Sequence, residues 1–175
     1  ATGHQPMSTP CGRYVITYNG EIYNAEELRE ELHRTRRIHF QGTSDTEVIL
    51  HGCAVWGVET TAKRLIGMFA FAFWDSRKRK LTLVRDRMGI KPLYWGKIGD
   101  LFLFGSELKT LCQHPGWARN VNRDAVSELM RCCYISAPLS IYEGIEKLRQ
   151  GHLLEISGGG KVKDLCYWDA RKVIH

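Results

Sequence analysis

Three strand–turn–strand units constrain this chain more than any other feature. Residues 67–74 and 80–85 are alternating, apolar-rich runs separated by a charged stretch centred on Ser76-Arg77-Lys78-Arg79. Residues 93–96 and 101–105 flank Lys97-Ile98-Gly99-Asp100, and residues 152–157 and 161–166 flank Gly158-Gly159-Gly160. Runs of this kind joined by Gly, Asp or charged residues predict antiparallel hairpins. A fourth alternating run, 13–18, predicts a half-buried strand. Helical signals fall between the strands. Leu28 and Leu32 stand at i, i+4 within 25–34. Ser44 opens 44–56 with Glu47 three residues on, the spacing of a capping box. Segments 59–65, 106–113 and 123–133 complete the set, the last with Asn122 placed as N-cap. Strand pairs with helices between them predict an α+β class.

The length of 175 residues suits one domain with a single core. Apolar residues make 43% of the chain and charged residues 25%, an ordinary globular balance that excludes a disordered chain. No apolar run reaches the ~18 residues of a membrane span. No basic-then-apolar leader opens the sequence. A membrane partner is therefore not expected. The net charge of +6 has local sources, Arg34-Thr35-Arg36-Arg37 and Arg77-Lys78-Arg79-Lys80. The second lies in a predicted turn. A nucleic-acid surface would place basic residues on one face with aromatics between them, so no nucleic acid is expected either. Six cysteines are scattered, apart from the adjacent Cys132-Cys133, and none forms a CxxC pair. That argues against structural zinc and against a disulfide scaffold, and for free, partly buried thiols. No metal ligands are assigned.

One segment carries recognisable chemistry. Asn19-Gly20-Glu21 follows the run at 13–18 and precedes the helical run at 25–34. A glycine lets main-chain N–H groups approach a ligand closely. The Asn amide is a donor, and the Glu is an anchor for a positive charge. Together they suit an amino-acid substrate whose carbonyl must be polarised. Asn-Gly is also a common turn pair between strand and helix, and the tripeptide alone does not decide between the two.

Six segments, in order, carry a resemblance. Asn19-Gly20-Glu21-Ile22-Tyr23-Asn24 resembles the NGEIYN signature of class II glutamine amidotransferases, in particular the glutamine-hydrolysing asparagine synthetases. Gly3-His4-Gln5-Pro6-Met7 resembles GHQPM, and Ser44-Asp45-Thr46-Glu47-Val48 resembles SDTEV. Gly67 to Ala72 resembles GMFAFA, Arg85 to Tyr94 resembles RDRxGIKPLY, and Phe104 to Lys109 resembles FxSExK. The stretch Tyr134 to Gly151 is similar to the end of that domain.

The resemblance implies a four-layer αββα sandwich of the N-terminal-nucleophile hydrolase type over residues 1–166, with 167–175 starting a linker to a synthetase domain. It implies a cytoplasmic protein that hydrolyses glutamine to glutamate and ammonia for ATP-dependent asparagine synthesis from aspartate. Asn19 and Gly20 would form the oxyanion hole, and Glu21 and Asp45 would hold the α-ammonium. Helix capping is a compatible role for Asp45. Arg85-Asp86-Arg87 would be structural, with internal ion pairs. The family's nucleophile is an N-terminal Cys whose own amine acts as base. The first residue here is Ala1. The resemblance therefore implies a chain missing its Cys segment, incomplete in fold, inactive alone and prone to self-association. Cys11 is read as a turn cysteine, since its amine lies in a peptide bond. His51 is read as a helix-face histidine. Gly158-Gly159-Gly160 is read as a hairpin turn, because a phosphate loop needs a helix behind it. ATP and Mg²⁺ are expected only in the synthetase domain. Two alternatives remain at this point: amidation of a sugar acid for surface polysaccharide, and a non-catalytic glutamine-binding or interaction fragment.

Overall fold

The alternating run after Arg13 does not stop at Asn19. In the computed structural model, which describes residues 3–173, it continues as one nine-residue strand, Tyr14–Ile22. In chain order the described elements are β1 (Met7–Ser8), β2 (Tyr14–Ile22), α1 (Ala25–Arg36), α2 (Asp45–Trp56) and α3 (Val58–Arg64). There follow β3 (Gly67–Asp75), β4 (Lys80–Arg85), β5 (Tyr94–Ile98), β6 (Leu101–Gly105), α4 (Leu108–Leu111) and α5 (Arg123–Cys132). The last strands are β7 (Ile145–Lys147), β8 (His152–Ser157) and β9 (Val162–Cys166). The chain divides into two compact units: residues up to Lys91 together with those from Gly151, and Pro92–Gln150.

The first unit is built on an antiparallel sheet of order β1-β2-β3-β4-β8-β9. Its ladder runs from Asn19 through Ala70 to Arg85, and from Tyr18 through Phe71 and Val84 to Leu153 and Leu165. Alternation sends Ile16, Tyr18, Phe69, Phe71, Phe73 and Val84 to one face. There they meet Leu28 and Leu32 of α1 and Val48, Ile49 and Cys53 of α2 in a single core. Burying a side chain of this size stabilises the fold by about 1.5–3 kcal/mol. The other face carries Ala70, Ala72, Leu83 and Leu154, and these are buried as well. The second unit holds a three-stranded sheet of order β6-β5-β7. Its core gathers Leu111, Trp117 and Ile145, with Trp117 edge-on to Tyr142.

All three predicted hairpins form: β3–β4, β5–β6 and β8–β9. Gly160 closes the last turn, its N–H donating to the Ser157 carbonyl. Asn122 caps α5 through Asp124 and Ala125 N–H groups, as its position predicts. Two details differ. Ser44 caps α2 through the Thr46 N–H, but Glu47 does not close a capping box. Its carboxylate turns back to accept from the Gln41 and Gly42 N–H groups instead, at 2.7 and 3.0 Å. The helix predicted over 106–113 shrinks to Leu108–Leu111.

Asp86 organises the turn that follows β4. It is 0% exposed, and four main-chain N–H groups donate to its carboxylate: Phe69 (3.3 Å), Met88 (3.0 Å), Ile90 (2.9 Å) and Lys91 (2.9 Å). The expected ion pairing of this carboxylate is corrected by that geometry, since main-chain donors saturate it. Arg85 donates to the carbonyls of Lys91 and Gly89, and Arg87 to that of Lys63. Tyr167 packs into the first core and donates its hydroxyl to the Arg85 carbonyl at 2.8 Å; burial pushes its phenol upward.

Candidate functional site

Asn19, Gly20 and Glu21 lie inside β2, opposite Ala70, Phe69 and Met68 of β3. The turn alternative is therefore excluded. Gly20 is required here by close approach. A Cβ built on it would stand 2.2 Å from the Met68 carbonyl oxygen and 2.8 Å from the Phe69 Cα. Gly67 mirrors it across the ladder, with a Cβ there 2.2 Å from the Glu21 oxygen. Two glycines thus let β2 and β3 cross tightly at the candidate site. Asn24, which ends the same motif, makes no side-chain cap to α1. Its amide bridges instead to the Arg64 carbonyl and the Ile66 N–H, each at 3.0 Å, and so fixes where β2 ends.

The outer edge of β2 is only briefly covered. β1 pairs with it at Ile16 and Val15 alone. Main-chain polar groups alternate between the two edges of an antiparallel strand. The Tyr18 N–H points outward and donates to the Gln5 Oε1 at 2.6 Å. The Ile22 N–H points outward and donates to the Asp45 Oδ2 at 3.3 Å. Gly20 sits midway, so its N–H points to the same edge. Two side chains from elsewhere in the chain thus stop the ladder on either side of one glycine. Asn19 and Glu21 project on the opposite face from Tyr18 and Ile22, and both are exposed.

Asp45 enters from the first turn of α2. Its Oδ2 also accepts from the Tyr18 hydroxyl at 2.7 Å. Burial pushes the Tyr18 phenol upward, and the hydrogen bond and charge of Asp45 push it further, so it stays a donor. The structure therefore ties Asp45 to both flanks of Asn19-Gly20-Glu21. It does not gather the four predicted residues on one face: Asn19 and Glu21 share one side of β2, and Asp45 approaches the strand edge. Gln5 and Tyr18 were not singled out from sequence. Gln5 stood within the quoted GHQPM segment, and Tyr18 at an inward position of the alternating run, where a hydroxyl needs a partner.

Cys11, Cys53 and His51 make none of these contacts. Cys11 is exposed in the β1–β2 turn, and its thiol is lowered mainly by a hydrogen bond with Thr9 at 3.4 Å. Burial pushes the Cys53 thiol up to about 12. His51 lies on α2, edge-on to Phe40, and burial lowers its pKa against the opposing pull of Glu47. It lines a cleft of about 240 Å³ with His4, Met7, His39, Gln41 and Glu47. Among the described residues no group of three His, Cys, Asp or Glu side chains is placed to hold a metal ion.

The family of glutamine amidotransferase domains matches residues 1–168, and the chain belongs to it. The chain is 41% identical, over 99% of its length, to asparagine synthetase (glutamine-hydrolyzing) 3 of Bacillus subtilis strain 168, and covers 28% of that protein. It is 35% identical, over 95% of its length, to a putative asparagine synthetase (glutamine-hydrolyzing) 2 of Methanocaldococcus jannaschii, and covers 35% of it. The chain thus spans about a quarter to a third of the length of the curated relatives it matches. Among solved structures, the glutamine phosphoribosylpyrophosphate amidotransferase of B. subtilis superimposes with a TM-score of 0.67 at 23% identity, over 96% of this chain and 33% of that one. That likeness establishes the fold: α+β, of the N-terminal-nucleophile hydrolase type expected from the motifs.

Proposed function

We propose that this chain is the glutaminase domain of a glutamine-hydrolysing asparagine synthetase. Water adds to the side-chain amide of glutamine, the C–N bond breaks, ammonia leaves, and glutamate remains. The parent protein then uses that ammonia to form asparagine from aspartate with ATP. The observation that carries the reading is the open N–H of Gly20 at the outer edge of β2, beside Asn19 and flanked by Asp45. The Gly20 N–H and the Asn19 amide supply the oxyanion hole, where losing one donor lowers kcat by about 10²–10³. Glu21 and Asp45 take the α-ammonium through charge-assisted hydrogen bonds. Cys11 is not the nucleophile in this reading, because its amine lies in a peptide bond at a hairpin tip.

ATP and Mg²⁺ belong, in this reading, to the synthetase part of the parent protein. The triple glycine here closes a hairpin and opens no helix, so it does not fit a pyrophosphate. The free thiols, Cys53 buried among them, suit a reducing cytoplasmic setting. No helix among the described residues is long and apolar enough to cross a membrane. Met130, 80% exposed at the end of α5, and Tyr134, 59% exposed, support self-association of the isolated domain. Glutamate release by the full-length protein carrying this domain tests the reading. Wild type should release it, and Asn19→Ala should lose most of the rate. Equal rates in both proteins would remove Asn19 from the site.

A further inference from the structure

We infer that Tyr18 is a positioning residue that orients the Asp45 carboxylate toward the α-ammonium of the substrate. The inference rests on the glutaminase reading above and deepens it. Two donors converge on one oxygen of Asp45: the Tyr18 hydroxyl at 2.7 Å and the Ile22 N–H at 3.3 Å. Its other oxygen, Oδ1, has no protein partner among the described residues. One oxygen is thus fixed to the strand that carries Asn19, Gly20 and Glu21, and the other is left for a ligand.

Tyr18 is itself held at both ends. Its N–H donates to Gln5 and its ring is packed in the first core at 9% exposure, so its hydroxyl reaches Asp45 from a fixed base. A tyrosine in this environment remains protonated, so its hydroxyl donates to Asp45 and brings no second negative charge to compete with that carboxylate for the ammonium. The division of labour is chemical. Asp45 supplies the negative charge, and Tyr18 fixes the torsion that aims it. Phenylalanine at this position would keep the packing and lose the aim. The lone Ile22 N–H would then leave the carboxylate free to swing.

The test compares glutamine with glutaramate, the same amide without the α-amino group, as substrates of the full-length protein. Tyr18→Phe should raise KM for glutamine about tenfold, the scale of one hydrogen bond to a charged group. Its kcat should stay near wild type, and kcat/KM for glutaramate should be unchanged. A merely structural role would move both substrates together, and that result would overturn the inference. An unchanged KM for glutamine would overturn it too. Asp45→Asn is assayed in parallel. If it raises KM for glutamine while Tyr18→Phe does not, the glutaminase reading stands and this inference fails. If neither variant nor substrate shows amide hydrolysis, the reading itself fails.

Discussion

Asp45 and Asp86 are both motif carboxylates that accept main-chain N–H groups, yet they are spent differently. Asp86 is fully buried, and its two oxygens take four N–H donors from Phe69, Met88, Ile90 and Lys91. Asp45 is half-buried, and its two donors, Tyr18 and Ile22, converge on a single oxygen. A saturated carboxylate has nothing left to offer a ligand, whereas one held on a single side is anchored and still available. The two are linked through one ladder position. Phe69 donates to Asp86 and stands opposite Gly20, so the turn after β4 supports the strand edge at the candidate site.

The comparison predicts opposite outcomes for the two residues. Asp86→Ala would leave four main-chain N–H groups without their acceptor, that of Phe69 buried and the other three part-buried, and at roughly 1 kcal/mol for each the cost is up to about 4 kcal/mol. For a domain of this size that lowers Tm by roughly 10 °C, read by calorimetry. A shift under about 2 °C would mean that water satisfies those groups and that Asp86 is not the organiser of its turn. Gly20→Ala comes next. Its Cβ would overlap main-chain atoms of β3 rather than a movable side chain, so destabilisation of roughly 1–3 kcal/mol is expected. Denaturant unfolding measures it, and a neutral result would show that β2 and β3 part easily at the site.

How much of this was legible in the sequence depends on where the determinants lie. The hairpins and the α2 cap are local, and turn chemistry with alternation located them. The extent of β2 was not legible. Its last four residues look like a turn because Asn-Gly often is one, and what overrides that preference is pairing with β3 some fifty residues away. Glu47 shows the same limit. Three residues from Ser44 its spacing signals a capping box, yet two N–H groups of the preceding loop claim its carboxylate. Asn19, Gly20, Glu21 and Asp45 were named through the motifs. That Asp45 meets β2 through Tyr18 is a tertiary fact that no spacing encodes.

Asp45→Asn sharpens the comparison from the other side. Asparagine can still accept from Tyr18 and Ile22 through its carbonyl oxygen, so stability should change by less than about 1 kcal/mol. Loss of the charge should weaken glutamine binding by about 1.5–3 kcal/mol, a ten- to hundredfold rise in KM for the full-length protein. A large stability loss without a change in KM would make Asp45 a second Asp86.

The smallest effect belongs to a third carboxylate, which serves neither role. Asp75 closes the β3–β4 turn, accepting from the Arg77 and Lys78 N–H groups and pairing with Arg13 at 3.0 Å. Arg13 beside it holds its carboxyl below the ordinary value of 3.8. The group binds its proton less readily folded than unfolded. Its contribution is therefore present above pH 3.8 and lost as pH falls through the lower folded value. Arg13→Ala removes the main cause of that depression. The variant should melt earlier than wild type at pH 7, and the gap should narrow as the pH is taken below 3.8. Because Arg13 lies near the surface, where water screens the pair, the gap at pH 7 should be the smallest of these effects. A gap that is constant down to acid pH would mean that Arg13 acts through its packing over the Tyr14 ring, 4.6 Å away, rather than through Asp75.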